Sequence, residues 1–237
     1  MWSLAIESST QVASVALFNQ NQVVSNRESR IQRSHSENLN SFVNDLLEES
    51  KITAADLKLI SVGVGPGSFT GIRVSINLAK TLSYSCSIPI AAVNSLEALA
   101  LPYVDQKWPV LSLINAYKNM SYYAVYMNGI ESLNTIHKPH VIPMIEIKKI
   151  IDSKHLVIGD GYLFYEKLMP ESLLSLMIRP TSPEDFPMAS TIGKIGLQKF
   201  EKGQTFDWKS LSPLYIRSSE AEETAQGIVW SPLDFKE

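Results

Sequence analysis

The chain of 237 residues is short of the groups on which most enzyme chemistry is built. It has one cysteine, Cys86, so no internal disulfide can form, and that thiol sits in an apolar stretch without a nearby activating base. It has four histidines, and none belongs to an HExxH pattern or stands beside an acidic pair of metal-ligand spacing. His137 and His140 flank Pro139 and are expected in a loop. There is no GxSxG elbow and no Ser-His-Asp or Cys-His set, which removes the protease reading. No apolar run approaches the length of a membrane span. The opening "MWSLAIESST" has no basic lead and runs into a strand pattern, so a signal peptide is not expected and a cytoplasmic location is. A basic excess is also missing: 21 Lys and Arg stand against 24 Asp and Glu, a net charge of −3, and autonomous nucleic-acid binding normally needs the opposite sign.

What is present is an apolar content of 45%, enough for a sizeable core, arranged in a repeated order. Residues 3–7, "VASVALFN" and "QVVSNRES" predict an antiparallel meander. A helix follows from a capping box at Ser34 and Glu37, with an apolar stripe of Leu39, Phe42, Val43, Leu46 and Leu47. "LKLISVGVG" predicts a buried strand, and Ile72, Ile76, Ala79 and Leu82 mark the next helix. "IPIAAV" and a helix capped by Asn94 and Glu97 complete the unit.

A second unit begins near Trp108, where "VLSLINAYKNMSYYAVYMNG" mirrors the opening. Glu7 and Asn115 hold equivalent places, and Ala16 is matched to Ala124. A helix near 144–153, strands at "HLVIGDG" and "LLSLMIRP", and a helix from Met188 to Lys202 closed by Gly203 follow. Two ribonuclease-H-like halves in tandem are the actin-like ATPase architecture, an α/β fold. The expected boundaries are 1–105 for the first lobe, 106–217 for the smaller second lobe and 218–237 for an acidic tail.

The chemistry centres on "VGVGPGSFTGIR". This is not a P-loop, because the only Gly-Lys pair, Gly193-Lys194, is followed by Ile195. It is not the dinucleotide fingerprint, because Thr70 stands where the third glycine belongs. A rigid strand-to-helix turn through Gly65, Pro66, Gly67, Ser68, Phe69, Thr70, Gly71 and Arg73 is expected. It either offers backbone N–H groups to an anion or only reverses the chain beside the opening hairpin. Actin-like kinases carry an Asp on the first strand of each half. Here those places hold Glu7 and Asn115, and an asparagine cannot act as a base.

The segments "LAIESSTQVASVAL", "HSENL", "GVGPGSFTGIRVSINLAKTL", "NSLEALA", "INAYKNMSYYAVY" and "PLYIR" resemble the TsaB (YeaZ) family, in order and over nearly the whole chain. The resemblance implies a two-lobed actin-like fold and a non-catalytic subunit with no catalytic residue, metal or cofactor of its own. Its partner would be the paralogous transferase TsaD, joined by the small ATPase TsaE, in threonylcarbamoylation of the adenosine beside the anticodon of ANN-decoding tRNAs. It would meet tRNA only through that complex, form a homodimer when alone, and place ATP or ADP at the subunit interface, with the edge at Gly65–Thr70.

The same resemblance implies that the first two long helices form the partner interface, through His35, Leu39, Phe42, Val43, Leu46, Leu47, Ile72, Ser75, Ile76, Ala79 and Ser83. The small residues Ser75, Ala79 and Ser83 at four-residue steps suit a close helix approach, although both stripes could equally face their own sheet. Two departures from the family pattern stand out. Glu7-Ser8-Ser9 replaces the usual Asp-Thr-Ser, and Asn115-Ala116-Tyr117 opens the second-lobe segment that usually starts with Asp. The alternative reading is a stand-alone ATPase or phosphotransferase using Glu7 and the Gly65–Gly71 loop.

Overall fold

The computed structural model describes residues 1–30, 35–129 and 133–218, with the side chains of 35–38 left aside. Two units emerge. The first comprises Met1–Ala98 and Phe186–Leu214, and the second runs over Leu99–Asp185 and resumes at Tyr215.

In the first unit, β1 (Trp2–Glu7), β2 (Ala13–Asn19) and β3 (Gln22–Ser29) form the meander, and β4 (Leu57–Gly63) and β5 (Ile90–Val93) extend it in parallel. The order is β3-β2-β1-β4-β5. Side chains alternate across the pleat. Leu4 and Ile6 of β1, with Val15 and Leu17 of β2, meet α1 (His35–Glu49) and α2 (Phe69–Cys86) in one apolar core. The opposite face carries small residues and receives α6 (Ala189–Glu201). A methyl group on Gly193 would enter the Phe18 ring, and one on Gly196 would strike the Ser61 hydroxyl. These two glycines therefore set how closely the helix can approach. Gly203 ends α6 with φ +69, the left-handed stop expected from the sequence.

The second unit repeats the pattern. Its strands are β6 (Val110–Asn115), β7 (Met120–Met127), β8 (Asn134–Pro143), β9 (His155–Ile158) and β10 (Met177–Ile178), in the order β10-β9-β6-β7-β8. Its core gathers Leu111, Leu113, Val125, Val157 and Tyr165 under short helices, among them α4 (Asp160–Tyr165) and α5 (Glu171–Leu174). A third helix, α3 (Ser95–Ala100), spans the point where the chain leaves the first unit.

Several expectations change. A cut near 105 with 106–217 in the second lobe does not describe the chain, because residues 186–214 return to the first unit, where α6 covers the small-residue face of its sheet. His137 and His140 lie in strand β8 rather than a loop. That strand is at the sheet edge, where Pro139 removes no interior ladder bond. Residues 144–149 form a 3₁₀ helix, and "LLSLMIRP" keeps only a two-residue strand after α5. Glu7 pairs with Ser14 and Asn115 with Ser121, so these two strand ends are equivalent. Ala16, however, pairs two residues before Glu7 and Ala124 three before Asn115, because the second hairpin turn is one residue shorter. The residue of the second hairpin that holds the place of Ala16 is Tyr123, which pairs with Leu113 as Ala16 pairs with Ala5. The capping box at Ser34 and Glu37 and most of the acidic tail lie outside the described residues, as does the side chain of His35.

Candidate functional site: a glycine loop closed by its own hairpin

The site forms where the β1–β2 turn meets the loop from β4 into α2. Glu7 is the last residue of β1 and is completely buried. Its carboxylate accepts the Ser9 N–H at 2.5 Å and the Ser95 hydroxyl at 2.9 Å. A methyl group on Gly63 would collide with it. Burial pushes the Glu7 carboxyl above the usual carboxylate range, against the opposing pull of the hydrogen bonds from Ser9 and Ser95. Both carboxylate oxygens are thus engaged by protein donors, and the side chain does not reach the surface.

The glycine loop is drawn onto the same turn. The Ser68 N–H donates to the Ser9 carbonyl at 2.6 Å, and the Ser8 hydroxyl donates to the Gly71 carbonyl at 2.8 Å. A methyl group on Gly67 would strike the Ser9 carbonyl, and one on Gly71 the Ser8 carbonyl. Gly65 has φ +97, its carbonyl accepts the Ser95 N–H at 2.9 Å, and Val64 is bonded to Val93 and Leu214. Ser68 caps α2 by accepting the Gly71 N–H at 3.2 Å. The glycines thus admit the backbone of the β1–β2 turn against the start of α2. Pro66 is buried within the turn, Thr70 is exposed, and the Arg73 guanidinium stacks on the Phe69 ring at 3.8 Å.

The implied interface residues fall mostly inside the core. Leu39, Val43, Leu46, Leu47, Ile72, Ile76 and Ala79 pack against their own sheet, with Phe42 partly buried at its edge. Ser75 donates to the Ile72 carbonyl at 3.1 Å, and Ser83 donates to the Ile88 carbonyl at 2.6 Å. The small-residue stripe of α2 therefore faces inward. The surface that α1 and α2 leave outward is a groove of about 430 Å³ lined by Leu39, Asn40, Val74, Asn77, Leu78 and Thr81.

In the second unit, Asn115 cannot supply a carboxylate, and Asp160 does so from the other side. Asp160 accepts the Asn115 N–H at 2.9 Å, and burial pushes its carboxyl up to about 6. The Asn115 side chain accepts the Tyr117 N–H at 2.9 Å and opens a turn in which Tyr117, Lys118 and Asn119 all have positive φ. Tyr165 donates toward Asn115 and the Met120 carbonyl. Neighbouring Asp185 accepts the Gly159 N–H at 2.8 Å and pairs with Arg179 at 2.6 Å. The sequence placed Gly159-Asp160-Gly161 at the end of the strand "HLVIGDG" and did not mark its acid as the partner of Asn115. Ser8 and Ser9 had only their place in the polar stretch after Glu7 as a signal, and Ser95 its place after the cap at Asn94.

The family model for TsaD, tRNA N6-adenosine threonylcarbamoyltransferase, matches residues 22–161. The chain is 29% identical over 225 residues to tRNA threonylcarbamoyladenosine biosynthesis protein TsaB of Bacillus subtilis, covering 94% of this chain and 96% of that one. Against the protein of the same name from Escherichia coli it is 28% identical over 246 residues, covering 99% of both. The TsaB of Buchnera aphidicola subsp. Schizaphis graminum is 32% identical over 167 residues, 67% of this chain and 78% of the relative. The solved structure of YeaZ from Pseudomonas aeruginosa superimposes with a TM-score of 0.77 at 26% identity, covering 90% of this chain and 99% of that one. With a family model spanning more than half of its length, and TsaB relatives aligned nearly end to end over the same two-lobed actin-like fold, the chain belongs to the TsaB (YeaZ) family.

Proposed function

We propose that this chain serves tRNA threonylcarbamoyladenosine synthesis as a non-catalytic subunit. It docks on a TsaD-type transferase, with TsaE joining the pair, and tRNA meets it only within that assembly. Docking acts by stabilising the partner's competent state, so the subunit contributes binding free energy rather than a reacting group. The observation that carries this reading is the filled cradle: the Ser9 carbonyl accepts the Ser68 N–H at the start of α2, and Glu7 is sealed beneath it. The stand-alone ATPase reading needs both of those groups open. The groove between α1 and α2 is the surface we assign to the partner, with a second copy of this chain taking it when the partner is absent. ATP or ADP would bind only at the joint surface, beside Thr70 and the Phe69–Arg73 stack. The site of action is the cytoplasm, where the tRNA substrate is.

The test is an omit-one reconstitution containing TsaC, TsaD, TsaE, tRNA, threonine, bicarbonate and ATP, with modified nucleoside read by mass spectrometry. Product is expected only when this chain is present. Equal product without it would overturn the activator role.

A further inference from the structure

Away from the loop and the α1–α2 groove, the first unit carries a cavity of about 440 Å³ at the far end of α2. Its walls include Tyr84, Pro89, Phe206, Asp207 and Trp208. Three of these are large aromatic side chains left exposed together: Tyr84 at 68%, Phe206 at 44% and Trp208 at 36%. Tyr84 and Trp208 stand edge to face, with centroids 5.0 Å apart and planes at 74°. The backbone beneath is fixed, because Phe206 exchanges both hydrogen bonds with Ile90 at the rim of β5. An aromatic cluster held open on a rigid frame marks a binding surface better than scattered apolar residues do.

Three independent features of this cavity attract a cation. Aromatic faces carry the negative part of the ring quadrupole. The α2 helix of 18 residues ends here, at Ser87, with no basic residue in its last turn, so the partial negative charge of its C-terminus has no cation from its own sequence. Asp207 is held ionised, its carboxyl drawn below the usual range by the Ser210 hydroxyl and backbone N–H, which donate to it at 2.5 and 2.8 Å. The chain itself shows the preference: the Lys209 ammonium lies over the Trp208 ring at 5.4 Å.

We propose that this cavity receives an arginine side chain presented by a partner protein, the guanidinium lying against Trp208 and Tyr84 and pairing with Asp207. Arginine suits the site better than lysine, since its planar group stacks on rings and forks onto a carboxylate. Lys209 then acts as the resident competitor that an incoming arginine displaces. The site is separate from the α1–α2 groove, so it adds a contact to the proposed assembly without depending on it.

The experiment is a titration of the intact chain by NMR, following the Trp208 indole N–H, assigned by its loss in Trp208→Phe, and the Thr205 backbone amide. The probe is N-acetyl-arginine amide, and its neutral near-isostere N-acetyl-citrulline amide is the control. Saturable shifts are expected with the arginine probe and not with citrulline. Trp208→Leu should weaken binding roughly threefold to thirtyfold, the range of an exposed to partly desolvated cation–π contact. Lys209→Ala should tighten it. Both Asp207 and Lys209 are exposed, so Asp207→Asn and Lys209→Ala report even if Trp208→Leu fails to fold. Equal shifts with citrulline, no shift with either probe, or weaker binding by Lys209→Ala would each overturn the proposal.

Discussion

The two units share one strand order and differ in where the buried acid stands. In the first, Glu7 ends β1 and is satisfied by the hairpin turn that follows it and by Ser95. In the second, the equivalent strand ends in Asn115, and the acid has crossed to Asp160, after the strand that pairs in parallel with β6. Both acids tie a segment beside the first strand to its surroundings, and burial raises both above their ordinary range. What the duplicated fold keeps is a buried acceptor at this junction, whichever segment supplies it. An acid kept for catalysis would be tied to one position and one open face. An acid kept as a tether can change sides.

The comparison breaks most severely at the glycine loop. Gly67→Ala would drive a methyl group into the Ser9 carbonyl, which is backbone and cannot swing aside. A loss of about 3–5 kcal/mol is expected, in the range of severe steric substitutions. Hydrogen exchange should show β1 and β4 amides losing protection while β6 and β9 keep theirs. Equal loss in both units would mean that they do not hold their loops independently.

Asp160→Asn sharpens the contrast through pH. The Asp160 carboxyl binds its proton more tightly folded, near 6, than its ordinary 3.8. Its contribution to stability is therefore fully present below about pH 4 and is lost as pH rises through 6, a span of about 3 kcal/mol. The asparagine variant should flatten that slope and exceed the parent in urea midpoint at pH 7.5, with the gap closing toward pH 5. A parallel pH profile for the two proteins would show that Asp160 does not carry it.

Glu7→Gln is the gentlest change, since it keeps one acceptor oxygen and removes only the second. A shift within about 1.5 kcal/mol is expected, the net value of one hydrogen bond. Neither protein should turn over nucleotide alone, and activation of the partner should survive. If the parent hydrolysed ATP and the variant did not, Glu7 would be a reacting group after all.

The first lobe was largely legible in the sequence because its elements advertise themselves locally. Alternation marks the meander, the glycine run marks the strand-to-helix turn, and Gly203 marks the end of α6. The family motifs lie on these same features. What failed was partner choice. Periodicity in α1 and α2 showed an apolar stripe but not that Leu39, Val43, Leu46, Ile72 and Ile76 spend it on their own sheet. Nor could it show that α6 returns to the first unit, a choice made by Phe18 and Ser61, which lie 175 and 135 residues before the glycines they meet. Strand β8 was hidden by its histidines and Pro139, which only an edge position tolerates. At the site, the glycines pointed to a close approach but could not name the Ser9 carbonyl as what approaches.

The return of α6 also orders events in time. As the chain leaves the ribosome, the first sheet is complete once β5 has emerged, yet one of its faces stays bare until residues 189–201 follow. Nearly ninety residues of the second unit are made in that interval. A nascent chain stalled before Met188 would present the Phe18 and Ser61 face to solvent, which makes that intermediate, rather than the finished protein, the natural client of a chaperone.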